Sequence, residues 1–197
     1  TEVMVTSGGT EALTSAILAM VEPGDEVIVF QPVYDSYLPI IRQAGGIPRL
    51  VRLEPPHWRL TEDALRGAFT RKTKAVLFNN PLNPAAVVYP REDLELLARF
   101  CQEFDVVAIC DEVWEHVVFD GREHIPLITV PGMRERTIKI GSEERYFRSL
   151  AGRSASSAPR RRSWPPSPMP STARATGAST RRRRWPVRRR PTRTCRI

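Results

Sequence analysis

The chain has 197 residues, 30 Lys+Arg against 22 Asp+Glu, and only three cysteines, Cys101, Cys110 and Cys195. Three scattered thiols without a CxxC pair exclude a disulfide framework and argue against a zinc site, and no apolar run approaches the ~20 residues that cross a bilayer. From Glu143 onward there are 16 Arg, no Lys and 2 Glu, whereas residues 1–142 hold 14 basic and 20 acidic side chains, so the net charge of +8 says nothing about partners of the first 142 residues. No basic n-region followed by an apolar stretch opens the chain, which points to a cytoplasmic setting. The sequence starts with Thr and runs straight into an apolar pattern, and so reads as a fragment lacking its native start.

In chain order, Glu2–Thr6 is a short β-branched run that predicts a strand. Thr10–Val21 places apolar residues at helical spacing and is stopped by Pro23-Gly24. Glu26–Phe30 predicts a buried strand, Tyr34–Gln43 a helix closed by Gly45-Gly46, and Ile47–Leu53 another strand. Thr61 caps a short helix through Phe69, with Glu62 and Asp63 near its positive end. Lys74–Phe78 is a strand, Pro90–Phe104 an amphipathic helix with Pro at its first position, and Val106–Cys110 and Arg136–Ile140 are strands.

Strands apolar on both sides and separated by helices predict an α/β fold, a mostly parallel sheet flanked by helices. Ligands of such sheets bind beyond the carboxyl ends of the strands. Polar loop residues collect there: Ser7 to Thr10, Asn79 to Pro84, Asp111 to Trp114, and Gly141-Ser142.

Each segment has two readings. Gly8-Gly9-Thr10 opens a helix whose free N–H groups suit a phosphate, or it is a helix start with a Thr cap. Asp111, at the end of an apolar strand, is costly unless paired. A cationic ring nitrogen would serve, as would a helix cap or a salt bridge. Asn83 sits in a loop stiffened by Pro81 and Pro84 and can aim an amide at a ligand oxygen, or simply makes an Asn-Pro turn. Tyr34 could stack on a flat ring or belong to the core. His57, His116 and His124 show no metal-ligand spacing and read as surface or loop residues, with no metal expected.

Taken together, TSGGTEAL (6–13), FQPVYDSY (30–37), NNPLNP (79–84), CDEVWEHVVFDG (110–121) and RTIKIGS (136–142) resemble the fold-type-I enzymes that use pyridoxal 5′-phosphate (PLP). The likeness is to class I/II aminotransferases of the kynurenine, glutamine and methionine branch, over essentially all of residues 1–142. It implies part of the large, PLP-binding domain and transfer of an amino group from an amino acid to a 2-oxo acid. It also implies homodimers with active sites at the interface. By position, Gly9, Thr10 and Ser142 would hold the cofactor phosphate, Tyr34 would stack on the ring, Asn83 would bond the ring 3′-oxygen, and Asp111 would pair with the ring nitrogen. Trp114 stands where most of the family has tyrosine. Indole N–H donates but neither accepts nor ionises. A carbon–sulfur lyase of the same fold is the alternative chemistry.

The family pattern breaks at Arg145, which occupies the position of the Schiff-base lysine. A guanidinium stays protonated and cannot serve as that nucleophile, so the chain as written is expected to be inactive. Lys139 lies inside a strand pattern, three residues before Ser142, and is not promoted to that role. Residues 143–197 form an Arg/Pro-rich segment, with seven prolines from Pro159 to Pro191, expected to be disordered and foreign to the family. The abrupt change near Ser142 suggests a reading-frame shift, which translation of the neighbouring frames would test. Taken at face value, the arginine clusters with Trp164 and Trp185 would bind nucleic acid nonspecifically and in a salt-sensitive way, and no specific nucleic acid is expected.

Overall fold

The computed structural model describes residues 3–142. Its backbone is a five-stranded, fully parallel sheet in the order β2-β1-β3-β4-β5. The strands are β1 (Glu26–Gln31), β2 (Ile47–Arg52), β3 (Thr73–Asn79), β4 (Val107–Asp111) and β5 (Thr137–Ile140). The helices are α1 (Gly9–Met20), α2 (Tyr37–Gln43), α3 (Glu62–Ala68) and α4 (Arg91–Glu103). This is the α/β arrangement the sequence predicts.

The sheet is covered on both faces. Ile28, Phe30, Val76, Phe78, Ala108 and Cys110 pack with α3 and α4. The alternate residues Val27, Val29, Ala75, Leu77, Ile109 and Ile140 pack with α1 and α2. Strand side chains alternate faces, so a strand buried on both must be apolar throughout. The chain steps one way along the sheet from β1 to β2 and the other way from β2 to β3 and β4. Crossovers of one hand then put α2 on one face and α3 and α4 on the other, as observed.

Three local readings need correction. Glu2–Thr6 contributes no strand: residues 3–6 are irregular, with Val3, Met4 and Val5 at 78%, 80% and 92% exposure. A β-branched run becomes a strand only beside a partner that takes up its N–H and C=O groups, and no described strand pairs with it. The helix read from Tyr34 begins at Tyr37. Pro39 lacks an N–H and is tolerated only in the first turn, which holds the start back. Pro90 is the extended residue before α4 (φ −75°, ψ 165°) rather than its first helical residue. β2 is an exposed edge strand, with Ile47 and Leu50 about half exposed. Pro48 fits that position, because only an edge strand can spare a ladder donor. Thr61 does cap α3, its hydroxyl oxygen accepting from the Ala64 amide at 3.3 Å.

Candidate active site

The carboxyl ends of β3, β4 and β5 lie side by side, with Asn79 in register with Asp111 and Asp111 with Ile140. Asn79 joins two loops. Its Nδ2 donates to the Asp111 carbonyl at 2.9 Å, and its Oδ1 accepts from the Asn83 amide at 2.7 Å. The Asn80 amide also donates to the Asp111 carbonyl, at 3.1 Å. Asn83 is thus held to the end of β4 by a buried side chain.

The start of α1 approaches the same rim. Gly8, with φ +90°, is the residue before the helix, and no side chain caps it. Thr10 lies inside the helix, so the Thr-cap reading fails. A Cβ on Gly9 would come within 3.1 Å of Val113 Cγ1 and 3.9 Å of Ile140 Cγ2. Glycine therefore lets a helix start, with its unbonded N–H groups, lie against the strand ends. One cavity of about 790 Å³ is lined by Gly8, Gly9, Glu115, His116, Gly141 and Ser142. Another, of about 330 Å³, is lined by Asn83 and Trp114 with Pro84, Val117, Phe119 and Arg122. The segment after Asp111 runs between them.

Asp111 is the chemically distinctive group. The Tyr37 hydroxyl donates to its Oδ2, and the Val113 amide approaches its Oδ1 at 3.4 Å. Among the described residues no cation pairs with it. Burial pushes its carboxyl above the ordinary carboxylate value, with the neighbouring Glu112 adding to the shift. The bonds from Tyr37 and Val113 oppose it. Burial, then the charge of Asp111, pushes the Tyr37 phenol well above its usual range. Tyr34 is 40% exposed and meets the Tyr37 ring edge-on, with centroids 5.5 Å apart and planes at 72°.

The next residue contrasts with it. Glu112 is fully buried. Its Oε2 lies 3.3 Å from His124 Nε2 and 3.6 Å from Lys139 Nζ, and its Oε1 accepts from the Leu127 amide at 3.1 Å. Lys139 Nζ also donates to Glu115 Oε2 at 2.6 Å. His124 is therefore no surface residue, its side chain being 5% exposed. Its partner carboxylate, twelve residues away, gave no spacing signal. Glu112, Glu115 and His124 are near enough to share a cation, and the Lys139 ammonium already lies against both carboxylates. In register, Lys139 pairs with Cys110 and Ile140 with Asp111. Residues in register share a face, so Lys139 leaves the sheet on the face opposite Asp111.

Of the residues read from sequence, Gly9 and Ser142 line one cavity and Asn83 and Trp114 the other; Tyr34 and Asp111 are linked through Tyr37, and Thr10 follows Gly9 in α1. Arg145 lies outside the described residues. Two contributors were not singled out from sequence, Tyr37 and Asn79. Tyr37 is indistinguishable from a core residue of an amphipathic helix until the fold brings it to Asp111, and Asn79 closes a strand like any polar terminal residue.

A partly buried carboxylate with no cationic partner among the described residues, near a glycine-opened helix start on a parallel sheet, marks the candidate site. The comparisons with known proteins give the family. Residues 1–140 match the family model "Aminotransferase class I and II", and the chain belongs to that family. It is 45% identical over 156 residues to human kynurenine–oxoglutarate transaminase 1, covering 74% of this chain and 37% of that protein. It is 44% identical over 149 residues to a probable N-succinyldiaminopimelate aminotransferase of Mycobacterium tuberculosis (75% and 38%). The solved N-succinyldiaminopimelate aminotransferase from that organism superposes with a TM-score of 0.68 at 44% identity, covering 70% of this chain and 36% of the other. Thermus thermophilus aspartate aminotransferase with maleate gives 0.67 at 33% identity, covering 77% and 44%. The chain thus spans a little over a third of the length of the curated relatives it matches. The family implies PLP. Among the described residues no helix is long and apolar enough to cross a membrane.

Proposed function

We propose that residues 1–142 are the cofactor-binding part of an aminotransferase that moves an amino group from an amino acid to a 2-oxo acid, using PLP. Residues 143–197 are assigned as a basic segment foreign to that domain. The carrying observation is Asp111, a partly buried carboxylate at the end of a buried strand with two hydrogen bonds and, among the described residues, no cation. Such a group is costly alone and is stabilised by a cationic partner. A protonated ring nitrogen is that partner. When bound, PLP supplies an electron sink for amino-acid carbon chemistry.

The other residues fit the same group. The amides of Gly9 and Thr10, the Thr10 hydroxyl and Ser142 offer donors to a phosphate. Gly9 leaves open the space that a Cβ would fill against Val113. Tyr34 offers a half-exposed ring for stacking. Asn83, whose backbone N–H is anchored by Asn79, offers its side-chain amide to a ring oxygen. Trp114 lines the same cavity as Asn83 and offers only a donor. Dimerisation and a cytoplasmic setting follow from the family reading and belong to this proposal.

Equilibrium dialysis of the full chain tests it, with PLP and with an analogue carrying carbon in place of the ring nitrogen. The intact chain is expected to prefer PLP by about tenfold or more, the worth of a charge-assisted hydrogen bond. Asp111→Asn is expected to erase that preference, and equal affinity for both ligands in the unaltered chain would overturn the assignment. Arg145 predicts no borohydride-stable adduct. A reduced adduct on Lys74 or Lys139 would refute that part.

A further inference from the structure

Tyr37 takes no part in the roles assigned above, yet it makes the strongest contact to the central carboxylate. Its side chain is 3% exposed. It stands at the first position of α2, and its hydroxyl reaches 74 residues along the chain to Asp111 Oδ2. The other oxygen, Oδ1, has only the Val113 amide at 3.4 Å, beyond the usual 2.7–3.2 Å of a good N–H···O bond. Orientation of the carboxylate therefore depends on the phenol. On its outer side the Tyr37 ring meets Tyr34 edge-on at 5.5 Å, so one side chain touches both the acid and the exposed aromatic.

We infer that Tyr37 is a positioning residue of the proposed PLP site: its hydroxyl aims and holds the Asp111 carboxylate, and its ring ties that carboxylate to Tyr34. This rests on the reading of Asp111 as the partner of the ring nitrogen. A phenol buried beside a carboxylate keeps its proton and acts as a constant donor. That bond favours the ionised form of Asp111 against the effect of burial. Without it, the acid keeps one long backbone contact, turns more freely and takes up a proton more readily. Recognition of a ring nitrogen would then weaken although no ligand-touching atom had been removed.

The test uses the full chain and begins without any ligand. Carbon-13 NMR follows the Asp111 carboxyl through a pH titration, for which Tyr37→Phe keeps the ring and the packing. Its titration is expected to move upward by about one pH unit, the scale of a lost charge-assisted hydrogen bond. Tyr37→3-fluorotyrosine, a stronger donor of nearly the same shape, is expected to move it downward, and serves if the phenylalanine variant folds poorly. An Asp111 titration indifferent to both changes would overturn the inference. The second readout is dialysis with PLP and its carbon analogue. Tyr37→Phe is expected to lose about tenfold in PLP affinity with little loss for the analogue, whereas equal losses for both would mark Tyr37 as merely structural and overturn the inference. If the unaltered chain cannot distinguish the two ligands, the ring-nitrogen reading fails. The ligand-free titration then still decides whether Tyr37 governs Asp111.

Discussion

Asp111 and Glu112 are consecutive carboxylates at the end of one strand, and they live in opposite electrical conditions. Glu112 has an ammonium, an imidazole and a backbone amide around it. Asp111 has a phenol, a distant amide and no cation among the described residues. Strand alternation turns them to opposite faces. The difference teaches that a buried charge with its partners supplied by the chain is a structural element, whereas one left without a counter-charge points to a ligand.

The largest effect is expected on the satisfied side. Glu112→Ala leaves Lys139 and His124 without their buried partner and should destabilise the fold by about 3–5 kcal/mol, measured by urea unfolding. A loss below ~1 kcal/mol would mean that the ionic cluster is not what holds the segment after β4. Asn79→Ala comes next. It removes a donor to the Asp111 carbonyl and the acceptor for the Asn83 amide, at a cost of about 2 kcal/mol. Hydrogen exchange at the Asn83 amide should accelerate, and unchanged protection there would break the proposed link between the two loops.

The smallest effect is expected at Asp111, and with the opposite sign. Asp111→Asn in the ligand-free chain should stabilise the fold by about 1 kcal/mol at neutral pH, because an acid whose folded pKa is raised costs stability while ionised. That cost is absent below the unfolded value of about 3.8, where both states are protonated, and grows as pH rises through the folded value. The advantage of asparagine should therefore shrink as pH falls toward 3.8. Unfolding curves across that window showing a constant difference, or a destabilised variant, would erase the contrast between the two carboxylates.

Much of this was legible in the chain. Continuous apolar runs such as Val27–Phe30 and Ala75–Phe78 specify strands buried on both faces, since any polar residue there would face a helix layer. The polar residues that end those runs then fall at one rim. Glu2–Thr6 was misread because β-propensity does not supply a partner strand. His124 was misread because its carboxylate lies twelve residues away, outside any local pattern.

Sequence alone determined the parallel sheet, the helices and the positions of Asn83 and Asp111 at the strand ends, because period and turn chemistry act within a few residues, whereas Gly9 follows an irregular segment and reaches that rim only through its packing against Val113 and Ile140. Only the tertiary structure decided which carboxylate has its counter-charge, that Lys139 faces away from Asp111, and that Tyr37 reaches it from α2. Those outcomes depend on register and on contacts across tens of residues, and local spacing carries no trace of them.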